Sequence, residues 1–195
     1  MSDASTLIEK ISSRKAQIAI IGLGYVGLPL ALRFSQVGFK TIGLDIDLKK
    51  IDLIQQGESF INHIAAQDIQ NANNNGFEVS SDFARAKEAD AIILCVPTPL
   101  NVYREPDLSY VFGTMESLLP HLRKGQVVSL ESTTYPGTTE EELKPRIESQ
   151  GFEVGKDIFL VYSPEREDPG NKTYSTQSIP KVCGGTTQAC LEIGI

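Results

Sequence analysis

The chain has 195 residues, 41% hydrophobic and 22% charged, with a formal net charge of −7. That is the composition of an ordinary globular protein, long enough for one well-buried domain and short for two. The acidic balance argues against a nucleic-acid partner and against binding to anionic membrane, and the apolar runs are too short to span a bilayer.

In chain order, Gln17-Ile18-Ala19-Ile20-Ile21 reads as a short buried strand. It leads into Gly22-Leu23-Gly24-Tyr25-Val26-Gly27. Val26, Leu30, Phe34 and Val37 then fall at helical spacing, and Gly38 offers a stop. Strand, glycine turn and helix is the context that turns G-x-G-x-x-G into a dinucleotide-binding hypothesis. Gly22 permits the tight turn, Gly24 lets the backbone approach a pyrophosphate, and Gly27 allows close packing of helix on strand. The helix N-terminus presents N–H groups and a positive dipole end to the phosphates.

Lys40–Asp45 is the second expected strand, followed by a helix capped by Asp47 that carries Leu48, Ile51 and Ile54 and ends near Gly57. Further strands are expected at Phe77–Val79, Ala91–Cys95, Val127–Leu130 and Ile158–Tyr162, with helices over about 64–73, 110–119 and 139–150. In the last helix Thr138 or Thr139 with Glu141 or Glu142 reads as a capping box, and Glu140-Glu141-Glu142 as dipole complementation rather than a metal site. Apolar strands alternating with amphipathic helices predict an α/β fold: a Rossmann-like, doubly wound, mainly parallel sheet with helices on both faces. Pro97–Asp107 and Ser163–Gly185 are the two long irregular stretches, of the kind that is functional or disordered.

The unusual loops all follow strands, so in a parallel sheet they emerge together at its carboxyl edge, where open α/β proteins bind ligands. Asp45 has the spacing of the carboxylate that accepts hydrogen bonds from an adenosine ribose, which favours NAD; a strand-end turn residue is the plainer alternative. Lys49 and Lys50 keep NADP open. Thr98, stiffened between Pro97 and Pro99, suits a nicotinamide ribose or phosphate, or is a polyproline connector. Ser132, Thr133 and Thr134 supply hydroxyls near a helix start, or are simply the helix entry. Glu165 beside Arg166 is placed to handle water or a proton, or forms a surface ion pair with its neighbours. Cys95 reads as core and Cys183 and Cys190 as structural thiols. His63 and His121 have no partner in sequence and take no role. The odd cysteine count and the absence of a basic-then-apolar start at Met1–Thr6 point to a reducing, cytoplasmic compartment.

Taken together, Ile18–Ala31, Cys95–Ser109, Leu130–Leu143, Tyr162–Asn171 and Ile179–Gly185 resemble the UDP-glucose/GDP-mannose dehydrogenase family over nearly the whole chain. The run Ser163-Pro164-Glu165-Arg166-Glu167-Asp168-Pro169-Gly170-Asn171 is similar to the branch acting on UDP-N-acetylhexosamines, and most similar to the UDP-N-acetyl-D-glucosamine 6-dehydrogenases of O-antigen and surface-polysaccharide pathways. The resemblance implies oxidation of a sugar C6 alcohol to a carboxylate with two NAD+, through a cysteine-bound aldehyde-level intermediate and a thioester. By position it implies that Gly22, Gly24, Tyr25, Val26 and Gly27 hold the pyrophosphate and Asp45 the ribose. Lys50 would lie near the adenosine, and Val96, Pro97, Thr98, Ser132 and Thr133 would line the cofactor. Thr133 would also organise catalytic water, Glu165 would assist thioester hydrolysis, and Arg166 would contact substrate.

The family's nucleophilic cysteine lies in a G-G-H-C-type motif that this chain lacks, and Cys183 has the wrong neighbours for it. The expectation is therefore an NAD-binding part spanning residues 1–195, inactive by itself. The central helix, the UDP-sugar-binding domain and the oligomer contacts would lie elsewhere in the full-length protein. The partner expected is a UDP-sugar: UDP-N-acetylglucosamine, or otherwise UDP-N-acetylgalactosamine or another UDP-hexose. A stand-alone NAD-binding module is the alternative from another class.

Overall fold

The computed structural model describes residues 3–164 and 181–195. Seven strands among them form one sheet in the order β3-β2-β1-β4-β5-β6-β7. These are β1 (Gln17–Ile21), β2 (Lys40–Leu44), β3 (Glu78–Ser80), β4 (Ala91–Leu94), β5 (Gln126–Leu130), β6 (Ile158–Tyr162) and β7 (Gly184–Gly185). The first six are parallel, and β7 runs antiparallel to β6 through Tyr162 and Gly184. After β3 the chain crosses back to place β4 beside β1, so the topological switch point lies between β1 and β4. The expected doubly wound, mainly parallel sheet is what forms.

The sheet is nearly dry. Ala19, Ile20, Ile92, Leu94, Val128, Leu130, Phe159 and Leu160 are fully enclosed, as strands covered on both faces must be. Apart from the small Ala19, each such side chain contributes roughly 1.5–3 kcal/mol of burial free energy. The covering helices are α1 (Asp3–Ser12), α2 (Gly27–Gln36), α3 (Leu48–Gln55), α4 (Ala66–Asn74), α5 (Ser109–Leu118), α6 (Lys144–Glu148) and α7 (Gln188–Gly194). Asp47 caps α3 by accepting from the Lys49 N–H, as the sequence predicts.

Several expectations are corrected. The helix expected over 139–150 is a π-helical turn, Thr138–Leu143, followed by α6. Its start has no capping box: Gly137 takes the cap position at φ 98°, and the Thr138 hydroxyl turns back to the Tyr135 carbonyl at 2.8 Å. The acidic run does stand in the first turn as expected, through Glu140 and Glu141, and Glu140 and Glu142 also pair one turn on with Lys144 and Arg146. The third strand sits one residue later than expected, at Glu78–Ser80, because Phe77 turns into the core with its N–H on the Ala72 carbonyl. Helix α1, whose Ala4, Leu7 and Ile11 fall at helical spacing and pack on the core, adds to the expected elements, and so does the edge strand β7, whose two glycines carry no hydrophobic pattern.

The amino end of the sheet is tied together by Asp90, just before β4. Its carboxylate accepts from Lys10 Nζ (2.8 Å, from α1), Arg123 Nη2 (2.9 Å) and the Gln17 N–H (3.1 Å, at β1). Burial alone would raise its pKa. The hydrogen bonds from Lys10, Arg123 and Gln17 outweigh that and hold the carboxyl below the usual carboxylate range. A depressed folded-state pKa stabilises the fold fully above the ordinary value near 3.8, and that stability drains away as pH falls through the lower folded value. Asp90→Asn is expected to cost about 1–3 kcal/mol at neutral pH. It should also flatten the acid limb of a plot of melting temperature against pH below 4, which differential scanning fluorimetry across pH 2–7 would read.

A Cβ built on Gly27 would lie 1.8 Å from the Gly22 carbonyl oxygen and 3.2 Å from Cys95 Cβ. Gly27→Ala is therefore expected to lose about 3 kcal/mol or more, seen as a lowered melting temperature or as insoluble protein.

Candidate functional site

The glycine turn grows directly out of β1. Gly22 leaves the strand at φ 90°, a conformation open to glycine, and a Cβ there would also strike the Cys95 carbonyl at 2.7 Å. Leu23 then plugs inward, fully buried, into space left by the missing side chain of Gly43 on β2. At Gly24 a Cβ would meet no atom within 4 Å, so the backbone there faces open space. Helix α2 begins after Val26 with no side-chain cap and no acidic residue in its first turn. Pro29 has no N–H, and the Leu28 N–H goes to the Gly24 carbonyl at 3.1 Å and the Leu30 N–H to the Val26 carbonyl at 3.3 Å. What the helix offers an anionic ligand is its positive dipole end together with the backbone of the turn before it.

Asp45 follows β2 and is 5% exposed. Its Oδ2 accepts from the Leu23 N–H at 2.7 Å and from Lys50 Nζ at 3.3 Å, and its Oδ1 accepts from the Asp47 N–H at 2.9 Å. The carboxylate thus pins the glycine turn to the end of β2. Two oxygens offer about four lone-pair directions, so acceptor capacity is left over for ribose hydroxyls. Lys50 pairs with Asp45, while Lys49 is exposed and gives its N–H to Asp47 Oδ1.

From the other side come the loops after β4 and β5. They are tied to each other where the Ser132 hydroxyl donates to the Val96 carbonyl at 2.7 Å. Between the two halves lies a cleft of about 700 Å³, at the switch point. It is lined by Gly22, Gly24, Tyr25, Val26, Asp45, Lys50, Val96, Pro97, Thr98, Ser132 and Thr133. Gly27 lies beneath the turn rather than in the wall. Thr134 belongs to a separate hollow with Tyr135 and Pro136. Glu165 and Arg166 lie outside the described residues.

The same wall contains residues that motif reading passed over. Tyr110 and Thr114 stand one turn apart on α5, beside the buried stripe of Val111, Met115 and Leu118, so their shared face was open to inspection. Ile46 comes with Asp45 as the next residue of the strand-end loop, whereas Phe60 and Phe83 carry no comparable signal, because tertiary folding alone brings them to the cleft. Glu131, at the end of β5, is a buried carboxylate in the wall that pairs with Lys181 Nζ and accepts from the Ser129 hydroxyl at 3.1 Å. Burial pushes the nearby Cys183 thiol up and the Glu131 carboxylate adds to the effect, against a smaller opposing pull from Lys181. A thiol held protonated is a poor nucleophile, in keeping with its reading as structural. Among the described residues no cluster of histidine, cysteine and carboxylate side chains could hold a metal ion. None of their helices is long and apolar enough to cross a membrane.

The cleft fits a dinucleotide in size, in its uncapped helix end, in the open approach at Gly24 and in the carboxylate at the end of β2. Residues 16–195 match the model of the UDP-glucose/GDP-mannose dehydrogenase family, NAD binding domain. Protein CapL of Staphylococcus aureus is 40% identical over 177 residues, covering 90% of this chain and 41% of that protein. A UDP-N-acetyl-D-glucosamine 6-dehydrogenase of Salmonella typhi is 36% identical over 180 residues, covering 92% and 42%. The solved structure of the UDP-N-acetyl-mannosamine dehydrogenase Cap5O from S. aureus superposes with a TM-score of 0.84 at 36% identity, covering 92% of this chain and 43% of that one. The chain thus spans less than half the length of these relatives.

Gly24→Val is expected to fold with an unchanged melting temperature, since its side chain meets open space. Filling that space should weaken NAD binding by at least about tenfold, measured by isothermal titration calorimetry.

Proposed function

This chain belongs to the UDP-glucose/GDP-mannose dehydrogenase family, and from that premise we propose that it is the NAD-binding half of a UDP-N-acetyl-D-glucosamine 6-dehydrogenase. The longer protein would oxidise the sugar C6 alcohol to the uronic acid, for O-antigen or surface-polysaccharide synthesis in the cytoplasm. The observation that carries the cofactor half of the reading is the gathering of the strand-end loops of β1, β2, β4 and β5 around one cleft at the switch point. When bound, NAD supplies the hydride acceptor.

The chain's own residues have separate tasks in this reading. Asp45 accepts the adenosine ribose hydroxyls, and its charge disfavours the extra phosphate of NADP. The N–H groups around Gly24 and the start of α2 receive the pyrophosphate. Val96, Pro97 and Thr98 with Ser132 and Thr133 border the nicotinamide end, where the Ser132–Val96 hydrogen bond keeps the two loops in register. Thr133 orients a water near the substrate, and Glu165 and Arg166 serve thioester hydrolysis and substrate contact. The nucleophilic cysteine, the sugar-binding side and the oligomer contacts lie in the part of the relatives' length that this chain does not span.

The choice of N-acetylglucosamine rests on the likeness of the 163–171 run to that branch and on the similarity to the S. typhi enzyme. A mannosamine substrate is the second reading, favoured by the likeness to Cap5O. The 195-residue chain should bind NAD by calorimetry and yield no NADH absorbance at 340 nm with any UDP-sugar. Turnover by the chain alone would refute the division of labour. The protein carrying the remaining domain should reduce NAD fastest with UDP-N-acetylglucosamine when compared with the UDP-N-acetylmannosamine, UDP-N-acetylgalactosamine and UDP-glucose reactions. A preference for another sugar would overturn the substrate assignment.

A further inference from the structure

Of the side chains on the glycine turn, Leu23 is fully buried and Val26 is partly packed on the core, but Tyr25 stands 62% exposed at the cleft. An aromatic ring so exposed would sample several rotamers and border the pyrophosphate region only part of the time. His63 supplies a surface for it to rest on. The two ring centroids are 6.3 Å apart with planes 26° from parallel, an offset stack.

His63 is itself well placed to act as a support. It lies between α3 and α4, flanked by Ile61 (2% exposed) and Ile64 (8%). The Ile64 N–H closes a turn onto the Ile61 carbonyl at 3.0 Å, and the Ser59 hydroxyl donates to the same carbonyl at 3.0 Å. Two buried anchors and a closed turn fix the backbone, so the imidazole is presented from a stiff base. Its other surroundings are open: it borders a second hollow, of about 540 Å³, between α2 and α4. The stack on Tyr25 is thus its one aromatic contact among the described residues.

We propose that His63 is a positioning residue for the cofactor: its ring stacks on Tyr25 and holds that side chain as a wall of the pyrophosphate end of the cleft. The role rests on the reading of the cleft as the NAD site. His63 touches no cofactor atom in this arrangement and acts only through Tyr25. A planar ring is what the position requires, and neither charge nor hydrogen bonding at the imidazole enters.

Calorimetric titration with NAD, paired with melting temperatures, tests this. His63→Ala should weaken NAD binding by about three- to tenfold, the range of an aromatic pair, with the melting temperature within about 2 °C of the parent. His63→Gln, which keeps polarity without a ring, should behave like His63→Ala, whereas His63→Phe should bind within about twofold of the parent. In a Tyr25→Ala background, replacing His63 should change nothing further, because the coupling runs through one pair. Parent-like affinity in His63→Ala, or an equal loss in the Tyr25→Ala background, would overturn the proposal. If the parent protein takes up no NAD at all, the reading of the cleft fails rather than the stacking role alone.

Discussion

The close approach of Gly27 to the Gly22 carbonyl governs the rest of the molecule. Only two residues without side chains let helix α2 start so near the end of β1. That contact aims the helix N-terminus across the switch point between β1 and β4, with no cap and no acid of its own to neutralise it. The later loops at that edge gather around this helix start and bound one cleft with it.

Two aspartates hold the opposite ends of the sheet by different physics. Asp90 at the amino end gathers α1, β1 and the approach to β5 through two cations, Lys10 and Arg123, and the Gln17 backbone N–H, and its work is done within the fold. Asp45 at the carboxyl end spends part of its acceptor capacity on the Leu23 N–H and Lys50 and keeps the remainder facing the cleft. The same carboxylate that stabilises the turn is thus presented to a ligand. Structure and cleft are coupled there, since the carboxylate that holds the Leu23 N–H also stands in the cleft wall.

The ends of the main strands were legible in the sequence because buried parallel strands are continuous apolar runs, as in Ile18–Ile21 and Phe159–Val161. The Asp47 cap was legible because it is a local side-chain-to-backbone bond. Local reading failed at Thr138, where glycine at 137 took the cap with a positive φ, and at β7, whose two glycines carry no hydrophobic pattern. The cleft shows the same division. The glycines, Asp45 and Thr98 announce themselves by spacing after strands, whereas Phe60 and Phe83 reach the wall only through packing.

By itself, then, the amino-acid order determined the alternation of elements, the glycine turn, the strand-end carboxylate and the family likeness, since each depends on neighbours in the chain. Only the tertiary structure decided that β4 lies beside β1 and that Asp45 reaches back to Leu23. It likewise decided that Glu131 meets Lys181 and that His63 lies against Tyr25. These pairings join residues 22 to 73 positions apart, and no local spacing encodes them. They follow from burying both faces of one twisted sheet at once, which leaves a single arrangement of loops at its carboxyl edge.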